Sequence, residues 1–300
     1  MDVVTLLGEA PALFAGFVFV LSLAVGSFLN VVIHRLPIML ERDWREQCAE
    51  LDGKAVAPLD GPFNLFVPRS RCPSCAKQIR AVHNIPVVSY FALGGSCAAC
   101  GARISIRYPV IELVTALLSG AVAWHFGFGW VALCALVLTW FLIAMSAIDI
   151  DTQLLPDSAT LPLCWLGLIA SVVFGRQADA IALPVDPASA IIGATAGYLS
   201  LWSVYWLFRL VTRKEGMGYG DFKLLAALGA WMGWQMLLPI VLFSAATGAI
   251  VGILLILFRG RDRQLPIPFG PYLAAAGWIA MMWGPEITRS YLRMAGHGHA

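Results

Sequence analysis

The segment WVALCALVLTWFLIAMSAIDID (residues 130–151) joins a long apolar run directly to two aspartates. Residues 130–148 carry no charge, and this length and composition are typical of a helix that crosses a lipid bilayer. Asp149 and Asp151 follow at the end of the run. Because a carboxylate at a membrane boundary is energetically costly, acids in this position indicate a functional site.

The composition extends this interpretation to the whole chain. Its 300 residues are 59% hydrophobic and 13% charged, whereas soluble domains are about half apolar and about a quarter charged. We predict an all-α polytopic membrane protein with about eight transmembrane helices. The first apolar run has no small-residue cleavage site, so we expect a retained span and not a signal peptide. The predicted spans cover residues 10–33, 109–127, 130–148, 158–175, 188–208, 222–236, 238–258 and 267–284.

Basic residues predict the orientation of these spans. With eight spans, 17 of the 20 Lys and Arg residues fall on one side of the membrane, within 34–108, 209–223 and 259–263. The positive-inside rule makes that side cytoplasmic and places the amino terminus outside. The turn at 149–157 and the loop at 209–221 then face the cytoplasm together. Arg176, Arg289 and Arg293 fall on the other side.

Two C-x-x-C pairs lie in the polar segment 34–108. This segment has few apolar runs and needs a bound metal or disulfide bonds to fold. The two pairs predict a small zinc-ribbon-like module, inserted on the cytoplasmic side between the first two spans. Zinc takes four thiolates in a tetrahedron, which leaves no open position for catalysis. Two disulfides, which a reducing cytoplasm disfavours, or a redox C-x-x-C without a βαβ pattern are the alternatives. The expected ligands of this structural Zn²⁺ are Cys72, Cys75, Cys97 and Cys100.

Acidic residues form two clusters on the predicted cytoplasmic side. In the first, Asp149 continues the apolar helix and is expected to point inward, while Asp151 fits a solvated turn. Asp157 follows a proline at a helix start, where a capping role and a functional role both stay open. The second cluster, GMGYGD at 216–221, ends at Asp221, which could also be a plain N-cap. Its glycines permit close backbone approach, but no strand or Gly-Lys-Ser/Thr supports a phosphate loop.

The two clusters together predict aspartic peptidase chemistry. Two converging carboxylates cannot both ionise easily, so the pair retains one proton. The ionised member then takes a proton from water, and the protonated member polarises the scissile carbonyl. No G-x-S-x-G or H-E-x-x-H motif offers a competing mechanism.

Glu112 is a further candidate, because it lies just inside the second predicted span, behind Arg107-Tyr108-Pro109. An acid in the first turn behind a helix-starting proline is an ordinary arrangement. A substrate-facing role is the alternative, and the sequence leaves both open.

Six motifs together resemble those of the bacterial type 4 prepilin peptidase family, the prepilin leader peptidases and N-methyltransferases, over nearly the whole chain. Such a combination is highly specific. The motifs are GSFLNVVIHRLP at 26–37, the two cysteine knuckles, NIP at 84–86 with IRYP at 106–109 and Glu112, ID at 148–149 with LPD at 155–157, GMGYGDFK at 216–223, and PFGP at 268–271.

The resemblance implies three regions: a first transmembrane helix (1–33), a cytoplasmic zinc-binding module (34–108) and a transmembrane aspartic peptidase domain (109–300). It implies that Asp149 and Asp221 are the catalytic pair. By the same resemblance, the substrates of this protein would be type IV prepilins and type II secretion pseudopilins. They would be cut between a basic leader and an apolar helix at the cytoplasmic face of the bacterial inner membrane. The new amino terminus would then be methylated with S-adenosylmethionine. No nucleic acid partner is expected.

One stretch departs from the family pattern. Where many relatives carry Arg-Gly-Arg or Arg-Gly-Lys before the second knuckle, this chain reads LGGS at 93–96. A peptidase without methylase activity is therefore an alternative. A proton-coupled transporter is another, since buried acids also mark ion pathways, although no inverted repeat is evident. A third alternative is a non-catalytic assembly protein that docks through the zinc module.

Overall fold

Helices dominate the computed structural model, which describes residues 3–53, 61, 63–175, 183–214, 216–259 and 268–294. Within these ranges, β-pairing is limited to two isolated antiparallel bridges, Arg71 with Gln78 and Ser96 with Arg103. The predicted all-α fold is confirmed for the described residues. The helices are α1 (Val3–Glu9), α2 (Pro11–Leu51), α3 (Val88–Ala92), α4 (Arg107–Phe126), α5 (Trp130–Thr152), α6 (Asp157–Phe174), α7 (Pro187–Thr212), α8 (Tyr219–Met232), α9 (Leu237–Arg259) and α10 (Gly270–Met294).

Six of these helices, α2, α4, α5, α6, α7 and α9, are long and apolar enough to cross a membrane. They coincide with the first five predicted spans and with the seventh. α8 has only 14 residues, or about 21 Å at 1.5 Å per residue, and α10 is less apolar than the six. The structure therefore supports a multi-pass membrane protein, while the number of eight spans stays a prediction.

α2 extends well beyond the predicted first span. It continues past Ile33 and through Pro37 to Leu51. Leu, Glu and Arg each occur three times in this extension, and all are good helix formers. Pro37 removes one backbone donor but does not end the helix. Residues 34–51, which were expected to belong to the zinc module, thus lengthen the first helix.

The chain divides into two compact units, Met1–Phe128 and Gly129–Ala300. In the first unit, α2 packs along α4. A Cβ on Gly26 would lie 2.7 Å from the Cα of Glu112, so the two helices meet closely where Gly26 has no side chain. Small residues at such contacts are typical of helix packing in membranes.

In the second unit, α8 packs against α6, α7 and α10. It is buried from Asp221 to Met232, except for the half-buried Lys223. A Cβ on Gly193 of α7 would overlap the carbonyl oxygen of Gly229, so the backbones of α7 and α8 touch there. α8 therefore lies inside its unit, shielded by neighbouring helices, and carries Asp221 at its first turn.

The three-part division, with boundaries after Ile33 and Tyr108, stays a prediction beside these two units. Arg176, Arg261 and Arg263, on which part of the predicted orientation depends, lie outside the described residues.

Candidate active site and metal centre

Asp149 lies in the last turn of α5, which continues beyond the predicted end of the span to Thr152. Its side chain is buried, with 5% exposure, and points inward as expected. Its Oδ2 atom accepts a hydrogen bond of 2.9 Å from the backbone N–H of Gly270. Because Gly270 begins α10, the positive end of that helix dipole faces the carboxylate.

Asp221 is the third residue of α8 and is also buried, with 6% exposure. The N-cap of α8 is Gly218, and no side chain caps the helix. The alternative that Asp221 is a plain N-cap is therefore wrong. The preceding Gly220 packs against Leu155, since a Cβ at Gly220 would lie 2.5 Å from the Leu155 Cβ.

The two buried aspartates come from distant parts of the sequence, but they are held by elements that meet around one residue. Leu155 lies between the elements that hold them. Its Cβ adjoins Gly220, and its Cδ1 lies 3.1 Å from where a Cβ of Gly270 would be. The structure thus brings both predicted site residues together in one apolar setting, where one proton shared between two carboxylates is favoured over double ionisation.

The other two acids of the first cluster are arranged differently. Asp151 is exposed in the last turn of α5. Asp157 is the first residue of α6 and does not cap it through its side chain. Instead, its Oδ1 accepts a 2.5 Å hydrogen bond from Nζ of Lys223, which lies two residues after Asp221. Asp157 therefore ties the start of α6 to the start of α8.

Sequence reasoning did not identify Leu155 and Gly270 as site residues. Both residues belong to motifs that resemble the family, LPD at 155–157 and PFGP at 268–271. The signal that could have found Gly270 is its position beside Pro271, because proline marks the first turn of a helix and glycine marks close backbone approach.

Tyr219 and Phe222 flank Asp221 in the first turn of α8, and their rings form a cluster with Tyr205 of α7. The rings of Tyr205, Tyr219 and Phe222 have centroid separations of 5.1, 5.5 and 5.6 Å. Tyr205 and Phe222 are buried, whereas Tyr219 is 47% exposed.

The four predicted metal ligands meet in the first unit. The Sγ atoms of Cys72, Cys75, Cys97 and Cys100 all lie within 4.8 Å of one another. Those of Cys72 and Cys100 are 3.8 Å apart, which matches the edge of about 3.8 Å expected for a tetrahedron with zinc–sulfur bonds of about 2.3 Å. All four thiols are free, so the disulfide alternative finds no support.

The two knuckles have matching backbones. The N–H of Cys72 donates to the carbonyl of Lys77, and the N–H of Cys97 donates in the same way to Ala102. Each knuckle then turns through a residue with positive φ, 55° at Ala76 and 70° at Gly101.

Thiol ionisation also fits a cation. The backbone N–H groups of Cys75 and Ser74 lower the pKa of Cys72 to about 6. At Cys100 the Ala102 N–H acts in the same direction, but the Cys75 thiol, burial and the other two thiols outweigh it and raise the pKa to about 11. Four adjacent thiolates would repel one another, and a bound cation would offset this repulsion.

Glu112 is in the second turn of α4, because that helix begins at Arg107 and not at Pro109. The expectation of a first-turn acid is therefore wrong. The carboxylate is 8% exposed, and its Oε2 accepts a 2.7 Å hydrogen bond from the N–H of Val87. Ser27 of α2 is a second partner. These contacts join the module to both helices of the first unit, and a substrate-facing role of Glu112 stays a prediction.

Comparisons with known proteins agree with this geometry. Residues 20–126 match the family described as the bacterial peptidase A24 N-terminal domain, and residues 136–253 match the type IV leader peptidase family. No solved structure matches the chain.

Three similar proteins are each named prepilin leader peptidase/N-methyltransferase. The protein from Stutzerimonas stutzeri is 56% identical over 98% of this chain and 99% of its own length. That from Pseudomonas aeruginosa is 56% identical over 99% of both chains. That from Aeromonas hydrophila is 55% identical over 94% of this chain and 95% of its own length. With this similarity over nearly its whole length, the chain belongs to the type IV leader peptidase family.

Proposed function

We propose that this protein is an intramembrane aspartic endopeptidase, which removes the basic leader from type IV prepilins and type II secretion pseudopilins. The observation that supports the proposal is the burial of Asp149 and Asp221 at the ends of two helices, on elements that meet around Leu155. The relatives' name supports the same reaction. Membership of a peptidase family counts against the transporter and assembly-protein alternatives.

The mechanism follows from the pair. The ionised carboxylate takes a proton from a water molecule, which attacks the scissile carbonyl carbon. The protonated carboxyl polarises the carbonyl oxygen. The carboxyl that took the proton from water later passes it to the nitrogen of the leaving amine as the C–N bond breaks. The Gly270 N–H holds the Asp149 carboxylate in place. Residues Leu155, Gly220 and Gly270 pack closely around the acids and limit access of bulk water.

The side of the membrane is part of the proposal. Asp149 lies at the end of a candidate span, and Asp157 with Lys223 lies close by. The basic loop that precedes Asp221 supports a cytoplasmic position of this end in a bacterial inner membrane, with the amino terminus in the periplasm. A basic leader would be held there by the anionic cytoplasmic leaflet, with its apolar helix in the bilayer.

We also propose that the protein N-methylates the new amino terminus, because the relatives' printed name includes N-methyltransferase. S-adenosylmethionine would be the methyl donor and is consumed as a substrate. The LGGS stretch at 93–96 keeps a peptidase without methylase activity as the competing proposal.

The four cysteines would hold one Zn²⁺. Their donor set and spacing fit a closed structural site, which leaves no position for water or substrate. The ion would fold the module and take no part in peptide hydrolysis.

The test is mass spectrometry of a prepilin that is coexpressed with the wild-type protein, with Asp149→Asn or with Asp221→Asn. Wild-type protein should remove the leader and add one methyl group. Each variant should leave the leader intact, because a neutral amide cannot replace the carboxylate in proton transfer. Asp151→Asn is the matched control on the same helix end and should process the prepilin normally.

The outcomes separate the proposals. Leader removal at the wild-type rate by either dyad variant would exclude that aspartate from the catalytic pair. Leader removal by wild-type protein without methylation would establish the peptidase alone.

A further inference from the structure

The segment 63–107, which contains the metal centre, has an unusual charge. It carries six basic residues and not one Asp or Glu. A divalent ion bound by four thiolates has a net negative charge, but the six basic residues outweigh it, so that the segment stays positively charged. The six basic side chains, all exposed, are Arg69, Arg71, Lys77, Arg80, Arg103 and Arg107.

Polar contacts hold this segment at the ends of two candidate spans. Asn30 of α2 donates to the Tyr108 carbonyl at 3.1 Å. Arg35, close beyond the first predicted span, donates to the carbonyls of Asn64 at 2.8 Å and Pro68 at 2.5 Å. Because these partners lie near residue 33 of α2 and the start of α4, the segment cannot extend far from the bilayer.

Within this segment, helix α3 lies nearest to the predicted second span. The N–H of Val87, immediately before α3, donates to Glu112, which lies inside the predicted second span. Val87 has a φ of 61°, a conformation that β-branched residues seldom adopt. α3 is thus fixed at the level where α4 enters the membrane.

At this level the structure exposes large apolar side chains. Val88 is 61% exposed and Phe91 is 74% exposed, and their spacing of three places both on one face of α3. Ile85 and Val82 precede them with the same spacing and are 46% and 70% exposed. Among the described residues of 81–92, no acidic side chain interrupts this apolar surface.

We propose that segment 63–107 is an interfacial element, which inserts the exposed side chains of α3 at the headgroup boundary and binds anionic phospholipids of the adjacent leaflet through its basic residues. Apolar insertion beside a basic surface is the combination that binds anionic membranes. Lipid is favoured over the prepilin leader as the occupant, because the leader is itself basic and would be repelled.

The experiment uses the full-length protein in phosphatidylcholine nanodiscs that contain phosphatidylglycerol with a photoactivatable group near the top of an acyl chain. After illumination, peptides covering 81–92 are compared by mass spectrometry with peptides of α9, whose candidate span is mostly exposed. Both should carry lipid adducts. The same probe on phosphatidylcholine should label 81–92 severalfold less, while α9 labelling should change little.

Two double variants separate the apolar and charged contributions. Val88→Ser with Phe91→Ser, and Lys77→Gln with Arg80→Gln, should each lower phosphatidylglycerol labelling of 81–92 severalfold. Arg45→Gln, an exposed basic residue on the α2 extension, is the matched control and should leave labelling unchanged. One bound metal per chain in every variant would show that the module stays folded.

Absence of adducts on 81–92 beside labelled α9 would overturn the proposal. Equal labelling by both lipids would overturn its preference for anionic headgroups. Cross-linking of α3 to a coreconstituted prepilin in place of lipid would assign the surface to the substrate. Since none of these readouts measures cleavage, they do not depend on the proposed peptidase activity.

Discussion

The Oδ2 atom of Asp149 lies 2.9 Å from the backbone nitrogen of Gly270, a residue 121 positions later in the chain. This hydrogen bond joins the carboxyl end of α5 to the amino end of α10. A carboxylate at the end of its own helix would face the negative pole of the helix dipole. The amino end of α10 offsets that effect and fixes the orientation of the side chain.

Replacing Gly270 by alanine should disrupt this arrangement. The new Cβ would lie 2.6 Å from Oδ2 of Asp149, so the carboxylate would have to move. A displacement of about 1 Å can cost about 100-fold in rate, and we expect a loss of that order in leader cleavage. Cleavage of a purified prepilin in proteoliposomes measures it.

Gly16→Ala is the control for Gly270→Ala, because a Cβ at Gly16 meets no atom within 4 Å. It should cleave at the wild-type rate. Normal cleavage by Gly270→Ala would show that the contact with Asp149 does not position the catalytic group.

Asp157→Asn should differ from Asp149→Asn. Its carboxylate pairs with Lys223, and the two side chains are 59% and 25% exposed. Solvated ion pairs contribute at most about 1 kcal/mol, which limits the expected fall in cleavage to about fivefold. Single-turnover cleavage by the two variants in parallel gives the comparison. Loss of all cleavage with Asp157→Asn would place that residue in the reaction itself.

The metal centre predicts one zinc ion per chain. Cys72→Ser or Cys97→Ser should lose the metal, because three thiolates and a hydroxyl bind zinc more weakly than four thiolates. Elemental analysis of the purified protein gives the stoichiometry, and limited proteolysis should then cut within 63–107. Cys48→Ser, an exposed cysteine outside the cluster, should retain both the metal and protease resistance.

The two knuckles predict opposite effects of reciprocal substitutions. Ala76 adopts a φ of 55° and Gly101 one of 70°, and a left-handed conformation costs a non-glycine residue roughly 1–2 kcal/mol. Glycine adopts this conformation without strain, but it loses more conformational entropy on folding, so that only part of the cost is recovered. Ala76→Gly should therefore tighten metal binding by about 1 kcal/mol, or about fivefold, and Gly101→Ala should weaken it similarly. Competition with a chromophoric chelator measures both, and changes of the same sign would contradict the strain argument.

The sequence by itself determined the class of protein and the chemistry available to it. Long uncharged runs can satisfy their backbone polar groups in lipid only as helices, so the spans around 130–148 and 238–258 could be predicted from composition. The C-x-x-C spacing predicted the four-thiol cluster, since each knuckle is a local turn. The placement of Asp149 and Asp221 at helix ends followed from the limits of the apolar runs.

Only the tertiary structure decided which helix ends meet. An apolar helix offers no polar stripe to show which side faces which neighbour, so contacts such as Gly270 with Asp149 and Gly220 with Leu155 could not be predicted. The hydrogen bond from Val87 to Glu112 was hidden for the same reason. The extension of α2 to Leu51, in contrast, agrees with the local helix formers at 34–51. Local composition predicts helices and turns, whereas the active site depends on packing between residues far apart in the chain.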